Sequence, residues 1–393
     1  MTKLEELINE LCPDGVEYVP IKEITKFEQP TKYIVKSTNY RDDFNTPVLT
    51  AGQTFIRGYT NETDGIYNAS KEHPVIIFDD FTGAFKWVDF PFKVKSSAMK
   101  MISANKDVTT LRYIYHVMGH LNFISSEHKR LWIGIYSAFR VPLPPLSIQS
   151  EIVHILDSFT LLTAELTAEL TARQKQYAFY RDYLLDFSNE DVTKKIPDID
   201  CSNVEYKRLG NIAIIERGKR VVRNDLSQEI GYPVYQNALK PLGYYTDKNR
   251  NANSVFVIGA GAAGEIGYSY VDYWAADDCF TFVCDDKLNQ RYLYFLLMSK
   301  QAFLKNNVRK SSIPRLPRIA LENMEIPVPP LSVQENIVKI LDRFDKLNND
   351  MSEGLPAEIE ARKKQYEYYR DTLLSFDDKA CSQIVKVERE RES

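Results

Sequence analysis

The sequence predicts an α+β protein made by tandem duplication: two mixed α/β domains separated by two long helices that form an antiparallel coiled coil. Three observations predict this fold. Two sequence blocks are repeated, apolar residues recur at helical spacing through those blocks, and short β-like runs alternate with turns elsewhere. At 393 residues, the chain is long enough for two or three domains of roughly 100–200 residues each.

The repeated blocks occur in the same order in both halves of the chain. PLPPLSIQSEIVHILDSF at 142–159 returns as PVPPLSVQENIVKILDRF at 327–344, with twelve of eighteen positions identical. ARQKQYAFYRDYLLDF at 172–187 returns as ARKKQYEYYRDTLLSF at 361–376, with eleven of sixteen identical. We infer a duplicated unit near 185 residues, with a variable part of about 120 residues and a similar part of about 45.

The similar parts have the pattern of long helices. Their apolar residues mostly follow alternating steps of four and three, the seam of a coiled coil, with a stutter in TAELTAEL at 163–170. In the second copy, Gly354 and Pro356 predict a kink or an interruption. Antiparallel pairing would bury both stripes and hold the two globules at opposite ends of a rod. The alternative is that each helix packs only on its own globule.

The variable parts have the pattern of mixed α+β globules. Runs such as HPVIIFDDF and NSVFVIGAG lie between Gly, Asn and Asp turns, and one helix is expected in each part, near 109–121 and 288–306. Two weaker echoes of the repeat also occur, RYIY at 112–115 with RYLY at 291–294, and a Val-Glu-Tyr triplet in each half. The predicted segments are an N-terminal amphipathic segment (1–20), a first globule (21–141), a first long helix (142–190), a connector (191–206), a second globule (207–326), a second long helix (327–376) and a charged tail (377–393). The tail is expected either to be mobile or to pair with the N-terminal segment.

Composition excludes several classes of protein. Lys and Arg total 50 against 54 Asp and Glu, so the formal charge of −4 excludes a histone-like binder but not a locally basic one. The longest apolar runs are shorter than the ~20 residues of a membrane helix, and the acidic start is unlike a signal peptide. Five cysteines do not make a disulfide framework. We expect a cytoplasmic protein without a membrane partner.

A two-headed rod suits a linear partner with binding sites at a fixed spacing, and double-stranded DNA is the obvious candidate. Basic clusters in both globules could neutralise phosphates, although a solvated basic surface would look the same in sequence. The GAGAAG turn could let the backbone approach phosphate or base edges. The candidate DNA-binding residues are Lys86, Lys93, Lys95 and Lys100 in the first globule and Arg217, Lys219, Arg220, Arg223, Gly259, Gly261, Lys310, Arg315 and Arg318 in the second.

Catalytic and metal motifs are weak. The GxGxxG at 259–264 precedes a β-like run where a dinucleotide fold needs a helix, so we expect a plain turn. The PD at 197–198 lies too close to the ExK at 205–207 for a nuclease core. The histidines and cysteines are not spaced as metal ligands usually are. The residues concerned are His116, His120, His128, Cys279 and Cys284. We expect no catalytic residue and no metal ligand in this chain.

Together, the duplicated PxPPLSxQxxIVxxLDxF block, the TAEL tetrads and the ARxKQYxxYRDxLL block closely resemble the specificity (S) subunit of type I restriction-modification systems. The resemblance implies two target-recognition domains, each reading one half of a bipartite DNA site, in a noncatalytic subunit of a bacterial or archaeal defence system. It implies helices that set the spacer and dock two adenine-N6 methyltransferase (M) subunits, which restriction (R) subunits join. S-adenosylmethionine, ATP and Mg²⁺ are expected on those partners, and no cofactor on this chain.

Two other functions stay open at this point. The chain could be a noncatalytic protein-interaction scaffold with a coiled-coil rod, in which case it should show little salt-dependent affinity for DNA. It could instead be a self-contained enzyme that uses the glycine turn or the PD…ExK residues, in which case alanine at Gly261 or Asp198 should abolish an activity of the isolated chain.

Overall fold

A computed structural model describes residues 3–50, 54–123, 129–188, 204–349 and 354–376. The α-helices in these ranges are α1 (Lys3–Leu11), α2 (Ile21–Ile24), α3 (Leu111–Leu121), α4 (Leu146–Leu185), α5 (Gln290–Ser299), α6 (Gln301–Asn306), α7 (Arg318–Glu322), α8 (Leu331–Asn349) and α9 (Leu355–Leu373). The strands are β1 (Glu17–Pro20), β2 (Thr25–Glu28), β3 (Thr46–Leu49), β4 (Ile56–Thr60), β5 (Val75–Asp79), β6 (Phe85–Val88), β7 (Lys93–Val94), β8 (Met99–Ala104), β9 (Arg140–Leu143), β10 (Glu205–Arg208), β11 (Ala213–Arg217), β12 (Tyr232–Tyr235), β13 (Gly243–Tyr245), β14 (Ser254–Ile258), β15 (Ile266–Ser269), β16 (Trp274–Ala275), β17 (Cys279–Cys284) and β18 (Glu325–Val328).

The chain divides into two compact units, the first of which is made of two segments that are distant in the sequence. Unit 1 combines the residues up to 165 with those from 360 onward, and unit 2 consists of residues 166–359. We call residues 17–143 reader 1 and residues 205–328 reader 2, and we call α4 arm 1 and the pair α8 and α9 arm 2. Each unit therefore contains one reader, the start of one arm and the end of the other.

Reader 1 is built from two main sheets. Its four-stranded antiparallel sheet has the order β2-β8-β5-β6, and its three-stranded sheet has the order β4-β3-β7, with β7 parallel to β3. Because side chains alternate across a strand, Ile76 and Phe78 of β5 join the core formed with α3 and α4. Val75 and Ile77 join the core formed with the three-stranded sheet. The inner strand β5 is thus buried on both faces of the larger sheet.

Reader 2 has the same topology. Its sheets have the orders β11-β17-β14-β15 and β13-β12-β16, with β16 parallel to β12. Val255 and Val257 of β14 pack with α5 and α8, whereas Phe256 and Ile258 face the three-stranded sheet. The duplication inferred from the helical blocks therefore extends through both readers, whose own sequences share only short echoes.

The helices expected in the variable parts are confirmed. α3 starts where the Thr110 side chain accepts a hydrogen bond from the Tyr113 amide, at 3.1 Å. In reader 2, the region expected to be helical contains α5 followed by α6, and the Asn289 side chain accepts from the Arg291 amide at 2.8 Å to begin α5. The RYIY and RYLY echoes are the second to fifth residues of these two helices.

The long helices are confirmed as well. Arm 1 is a single helix of 40 residues, about 60 Å long at 1.5 Å per residue. Arm 2 is interrupted where the sequence predicted it, because α8 ends at Asn349 and α9 begins at Leu355, between Gly354 and Pro356. Proline in the first turn of a helix costs nothing, whereas the same residue inside a continuous helix would break it.

In unit 1, the start of arm 1 and the end of arm 2 pack antiparallel. The rings of Phe159 and Tyr369 stack with their centroids 5.0 Å apart. One turn earlier in α4, Ile155 shares the wall of a cavity of about 710 Å³ with Thr372 and Leu373, which lie later in α9. As the residue number rises along α4, the number of its neighbour in α9 falls.

Unit 2 makes the reciprocal contact. Tyr180 of α4 stacks on Phe344 of α8 with their centroids 5.8 Å apart. Phe344 occupies the place of Phe159 in the first repeated block, and Tyr180 occupies the place of Tyr369 in the second. Each unit thus pairs the first block of one arm with the second block of the other, which confirms the expected helix pairing. The first block of each arm also packs on its own reader, as the alternative supposed.

Two of the candidate DNA-binding lysines are buried within unit 1, and this corrects the expectation for Lys93 and Lys100. Lys93, with a side chain only 2 % exposed, pairs with Glu62 at 3.1 Å and also donates to the carbonyl of Gly65 at 3.2 Å. Lys100 is fully buried and pairs with Asp80 at 2.8 Å. Both ammonium groups are used inside the domain, so neither can neutralise a DNA phosphate.

The Lys100–Asp80 pair fixes a turn of reader 1. Asp80 follows β5, and its second carboxylate oxygen accepts from the Trp132 amide at 2.9 Å. Equivalent places in reader 2 hold Gly259, Phe280 and, at the place of Trp132, Pro317, which has no amide hydrogen to satisfy. Reader 2 therefore lacks both the ion pair and the backbone N–H that donates to it in reader 1. This is consistent with the three residues acting as one group.

We predict that Lys100→Met destabilises unit 1 by about 3 kcal/mol, because it removes the buried partner of the Asp80 carboxylate and leaves only the exposed Arg130 at 3.9 Å. The double variant Lys100→Met/Asp80→Asn should be more stable than Lys100→Met, since the amide oxygen still accepts from Trp132 and no charge is buried. Denaturant unfolding, with hydrogen exchange of β5 and β8 as the local probe, measures both. Lys95→Met is the matched control at an exposed lysine, and equal stability of the two single variants would contradict the assignment.

Candidate nucleic-acid interface

In reader 2, β11 and β14 end and β17 begins at one edge of the four-stranded sheet. Arg217, the last residue of β11, is paired with Phe280, and Ile258, the last residue of β14, is paired with Cys279. The chain continues from these ends into short loops that are bonded to each other. The Gly218 amide donates to the Cys279 carbonyl at 3.0 Å. This edge is where the basic stretch after β11 and the glycine turn after β14 meet.

A third segment, residues 309–316, is bonded to the same edge. The Gly261 amide donates to the Pro314 carbonyl at 3.1 Å, and the Leu316 amide donates to the Gly259 carbonyl at 2.8 Å. Arg309 and Arg315 exchange backbone hydrogen bonds within this segment, at 2.8 and 3.2 Å. The fold thus brings together basic segments that are nearly 100 residues apart in the sequence.

The side chains at this edge are mostly exposed arginines and lysines. In the described part of the chain no ion pair involves Arg217, Lys219, Arg220, Arg223, Arg309, Lys310 or Arg315, and all seven are exposed. Lys219 is held by its backbone, since its amide donates to the Ala275 carbonyl at 2.9 Å and its carbonyl accepts from the Trp274 indole at 2.8 Å. We call these seven residues the basic edge of reader 2. Unpaired positive charge on a rigid sheet edge is a suitable surface for a phosphate backbone.

Arg318 differs from this group. It begins α7 and its guanidinium pairs with Glu322 at 2.6 Å, one turn later in the same helix. Its charge is partly offset within the helix, so we leave it out of the basic edge.

The glycines of the GAGAAG turn serve mainly to pack the loop. The turn leads from β14 into β15 with no helix between them, as the sequence predicted. A Cβ at Gly259 would lie 2.7 Å from the Phe280 ring, and Gly261 has φ +85° with a Cβ position 2.8 Å from Asn237. Gly259 is buried, which corrects the expectation that it contacts DNA. Gly261 is half-buried at the edge itself, and its contact with DNA stays a prediction.

In reader 1, Lys86 and Lys95 are exposed, as a DNA-contacting role requires. Sequence reasoning missed Arg130, which is 58 % exposed and 3.9 Å from Asp80. The Leu131 amide donates to the Asp80 carbonyl at 2.8 Å, the same bond that Leu316 makes to Gly259 in reader 2. Arg130 is therefore the counterpart of Arg315. Both occur as Arg-Leu at the offset of 185, so the repeat itself could have revealed the pair.

The histidines and cysteines have structural environments. Buried His116 hydrogen-bonds Asp157 at 2.8 Å, and burial lowers the pKa of its imidazole although the carboxylate opposes this. His120 pairs with Asp371 at 2.9 Å, and His128 lies outside the described residues. Burial raises the pKa of both Cys279 and Cys284 to about 12, so each keeps its proton at neutral pH.

The nuclease-like PD…ExK residues do not form a catalytic site within the residues that the structure describes. Pro197 and Asp198 lie outside the described residues, while Glu205 and Lys207 form an ion pair at 2.6 Å on β10. Among the residues that the structure describes, no group of three His, Cys, Asp or Glu could hold a metal ion. Within those same residues, no helix is long and apolar enough to cross a membrane.

Comparison with known proteins matches the duplication. The family model for the type I restriction modification DNA specificity domain matches twice, at residues 13–173 and 201–361. The EcoR124I/EcoR124II specificity subunit of Escherichia coli is 42 % identical over 411 residues, covering 96 % of this chain and 97 % of that protein. A putative type I restriction enzyme specificity subunit of Haemophilus influenzae is 30 % identical, covering 95 % of this chain and 98 % of that protein.

Solved structures share the fold. The crystal structure of the S subunit from M. genitalium aligns with a TM-score of 0.63 at 14 % identity, covering 92 % of this chain and 96 % of that one. A chain from a study of complex assembly and conformational transition of the type I R-M system aligns with a TM-score of 0.53 at 17 % identity, covering 92 % and 97 %. With both family matches, each spanning a reader and most of an arm, this chain belongs to the family of type I restriction-modification DNA specificity subunits.

Proposed function

We propose that this chain selects a bipartite site on double-stranded DNA, with one half-site bound at the sheet edge of each reader. The observation that carries this proposal is the basic edge of reader 2, where two separate segments bring unpaired arginines and lysines together beside the glycine turn. The equivalent placement of Arg130 in reader 1 and Arg315 in reader 2 supports the same mode of binding in both.

Positive side chains at such an edge would contact phosphates and fix the position of the reader on the duplex. Base identity would be read by neighbouring side chains that reach into a groove. Because the chain as a whole carries a formal charge of −4, we expect much of the DNA affinity to come from the assembled complex.

We further propose that the arms set the spacer between the half-sites and dock two M subunits. Phe179 is 63 % exposed and Tyr368 is 67 % exposed, and they occupy equivalent places in the second repeated block. Exposed aromatic side chains at two equivalent places suit two copies of one protein partner. The M subunits would transfer methyl groups from S-adenosylmethionine to adenine N6, and R subunits would join through them, bringing the sites for ATP and Mg²⁺. The complex would act on DNA in the cytoplasm of a bacterium or archaeon.

Methylation mapping tests the main proposal. Co-expression of this chain with its cognate methyltransferase subunit should methylate adenines in one motif made of two short specific sequences separated by a fixed nonspecific spacer. Cells that express the methyltransferase alone are the control. A continuous motif, or no methylation by a complex that assembles, would contradict two-part reading, and assembly without DNA binding would favour a protein scaffold.

Salt dependence tests the basic edge. In the assembled complex, Arg217→Ala/Arg315→Ala should weaken DNA binding and reduce the slope of log K against log salt by about two, roughly one for each phosphate that is no longer neutralised. Arg318→Ala, an exposed arginine already paired with Glu322, is the matched control and should change the slope little. An unchanged slope in the double variant would place the DNA elsewhere on reader 2.

The TAEL tetrads provide a test of the spacer. Deleting residues 163–166 shortens arm 1 by ~6 Å and changes its phase by ~40°. One base pair adds about 3.4 Å and roughly 34°, so the deletion corresponds to one or two base pairs. We predict a spacer changed by one or two base pairs with both half-sites unchanged, and an opposite change when a tetrad is added. Thr163→Ala preserves the length and is the control. A constant spacer in methylation maps of the deletion would refute the role of the arm as a ruler.

A further inference from the structure

Each reader is attached to its arm by the same set of polar contacts. We call this set the arm latch. It consists of Arg112, Gln149 and Asp157 in unit 1 and of Arg291, Gln334 and Asp342 in unit 2. In both units the arginine is the second residue of the reader helix, α3 or α5, while the glutamine and the aspartate belong to the first repeated block of the arm.

The arginine joins the reader sheet to the arm. In unit 1, the Arg112 Nε lies 2.7 Å from an Asp157 carboxylate oxygen, and its guanidinium lies over the rings of Trp87 and Tyr115 at 4.8 and 4.9 Å. Trp87 is on β6, so a single side chain links the sheet, the helix α3 and the arm. Stacking between aromatic rings leaves the planar guanidinium little freedom to reorient.

Unit 2 repeats this geometry with different aromatic residues. The Arg291 Nε lies 2.7 Å from Asp342, and its guanidinium lies 4.6 Å from the ring centroids of both Tyr268 and Tyr294. Tyr268 is the third residue of β15, as Trp87 is of β6. A second carboxylate, Asp345, accepts from the same guanidinium at 2.7 Å.

The tyrosine after each arginine adds a third anchor. The Tyr113 hydroxyl donates to the Pro142 carbonyl at 3.0 Å, and the Tyr292 hydroxyl donates to the Pro327 carbonyl at 3.2 Å. Both tyrosines are fully buried. These bonds hold the strand that leads into the arm and account for the RYxY echo in two otherwise dissimilar readers.

The glutamine holds the loop before each reader helix. In unit 1, the Gln149 Oε1 accepts from the Thr109 hydroxyl at 2.9 Å, and its Nε2 donates to the Val108 carbonyl at 3.0 Å. In unit 2, the Gln334 Oε1 accepts from the backbone N–H of Asn289 at 2.9 Å, and the Gln334 Nε2 donates to the Lys287 carbonyl at 2.8 Å. Both glutamines are fully buried, and only a side chain that both donates and accepts satisfies these partners.

The glutamine and the aspartate stand eight residues apart on the arm, which is about 12 Å along a helix. Two polar attachment points at this separation prevent the reader from sliding along the arm and from rotating on it. An apolar contact alone would tolerate small shifts. The repeated block thus preserves the residues that mount a reader, while the readers differ in the side chains available to face DNA.

We propose that Arg112 and Arg291 are positioning residues for DNA specificity: each fixes the angle of its reader on the arm and thereby narrows the range of spacer lengths that the subunit accepts. This inference rests on the proposed function, because spacer length has a meaning only for a two-part DNA site. Two parts of the arm would then have different functions. The tetrads would set the preferred spacer length, and the latch would set how strictly that length is required.

The test uses the full complex with the methyltransferase subunit and a set of DNA sites whose half-sites are constant and whose spacer varies by one base pair in either direction. Arg291→Lys keeps the charge but loses the planar fork that bonds Asp342 and Asp345 together. We expect both half-site sequences and the preferred spacer to persist, while methylation of the two off-length sites rises about tenfold relative to the preferred one. Asp342→Asn should act alike, and the double variant should exceed neither single variant by much.

Arg343→Lys is the matched control, because Arg343 is exposed and adjacent to Asp342 on α8, and its spacer profile should equal that of the unaltered protein. Thermal unfolding of each variant reports the purely structural effect. A fall in methylation by the same factor at every spacer, or an unchanged profile, would overturn the positioning role. A changed half-site sequence would make Arg291 a base-reading residue instead. If the unaltered complex methylates no two-part site, the proposed function itself fails and this inference fails with it.

Discussion

The rest of the structure depends on one constraint, which is that the apolar stripes of the two long arms must be buried. The first block of each arm buries part of its stripe against its own reader, and the other arm covers a further part. In each unit the first block of one arm packs on the second block of the other, through the stacks of Phe159 on Tyr369 and of Phe344 on Tyr180. Unit 1 consequently combines residues up to 165 with residues from 360 onward, and unit 2 combines the end of arm 1 with reader 2 and the start of arm 2. The duplication makes this possible, because two copies of one pair of blocks match each other in either combination.

The readers show how one topology can carry different surfaces. Both have the same strand order and the same helix mounting, yet the buried Asp80–Lys100 pair in reader 1 is replaced by Gly259 and Phe280 in reader 2. Two backbone hydrogen bonds at that position are shared, because the amides of Asp80 and Gly259 donate to the carbonyls of Ala98 and Asp278, and the carbonyls of Asp80 and Gly259 accept from the amides of Leu131 and Leu316. Constant backbone and mounting contacts with variable side chains are what a DNA-reading domain needs if its specificity is to change without loss of the assembly.

The positions of basic residues in the sequence predicted only part of the exposed basic surface. Basic residues near one another in sequence predicted the stretch after β11 correctly as an exposed group, but Lys93 and Lys100 of the first globule are buried in ion pairs. A lysine on a short strand can face either way, and its environment depends on acids elsewhere in the fold, here Glu62 and Asp80. Arg130 lies outside the basic cluster of 86–100 that the sequence shows in the first globule, although its counterpart Arg315 lies within a basic cluster of the second.

The sequence by itself determined the duplication, the long helices with their interruption near Gly354, the existence of two mixed α/β domains and the resemblance to specificity subunits. Each follows from local periodicity or from similarity between segments. Only the tertiary structure decided which segments share a unit, which cations are free and why the first repeated block is preserved. Those properties depend on contacts between distant residues, such as Arg291 with Asp342 or Gln149 with Thr109, and a side chain has no partner until the chain has folded.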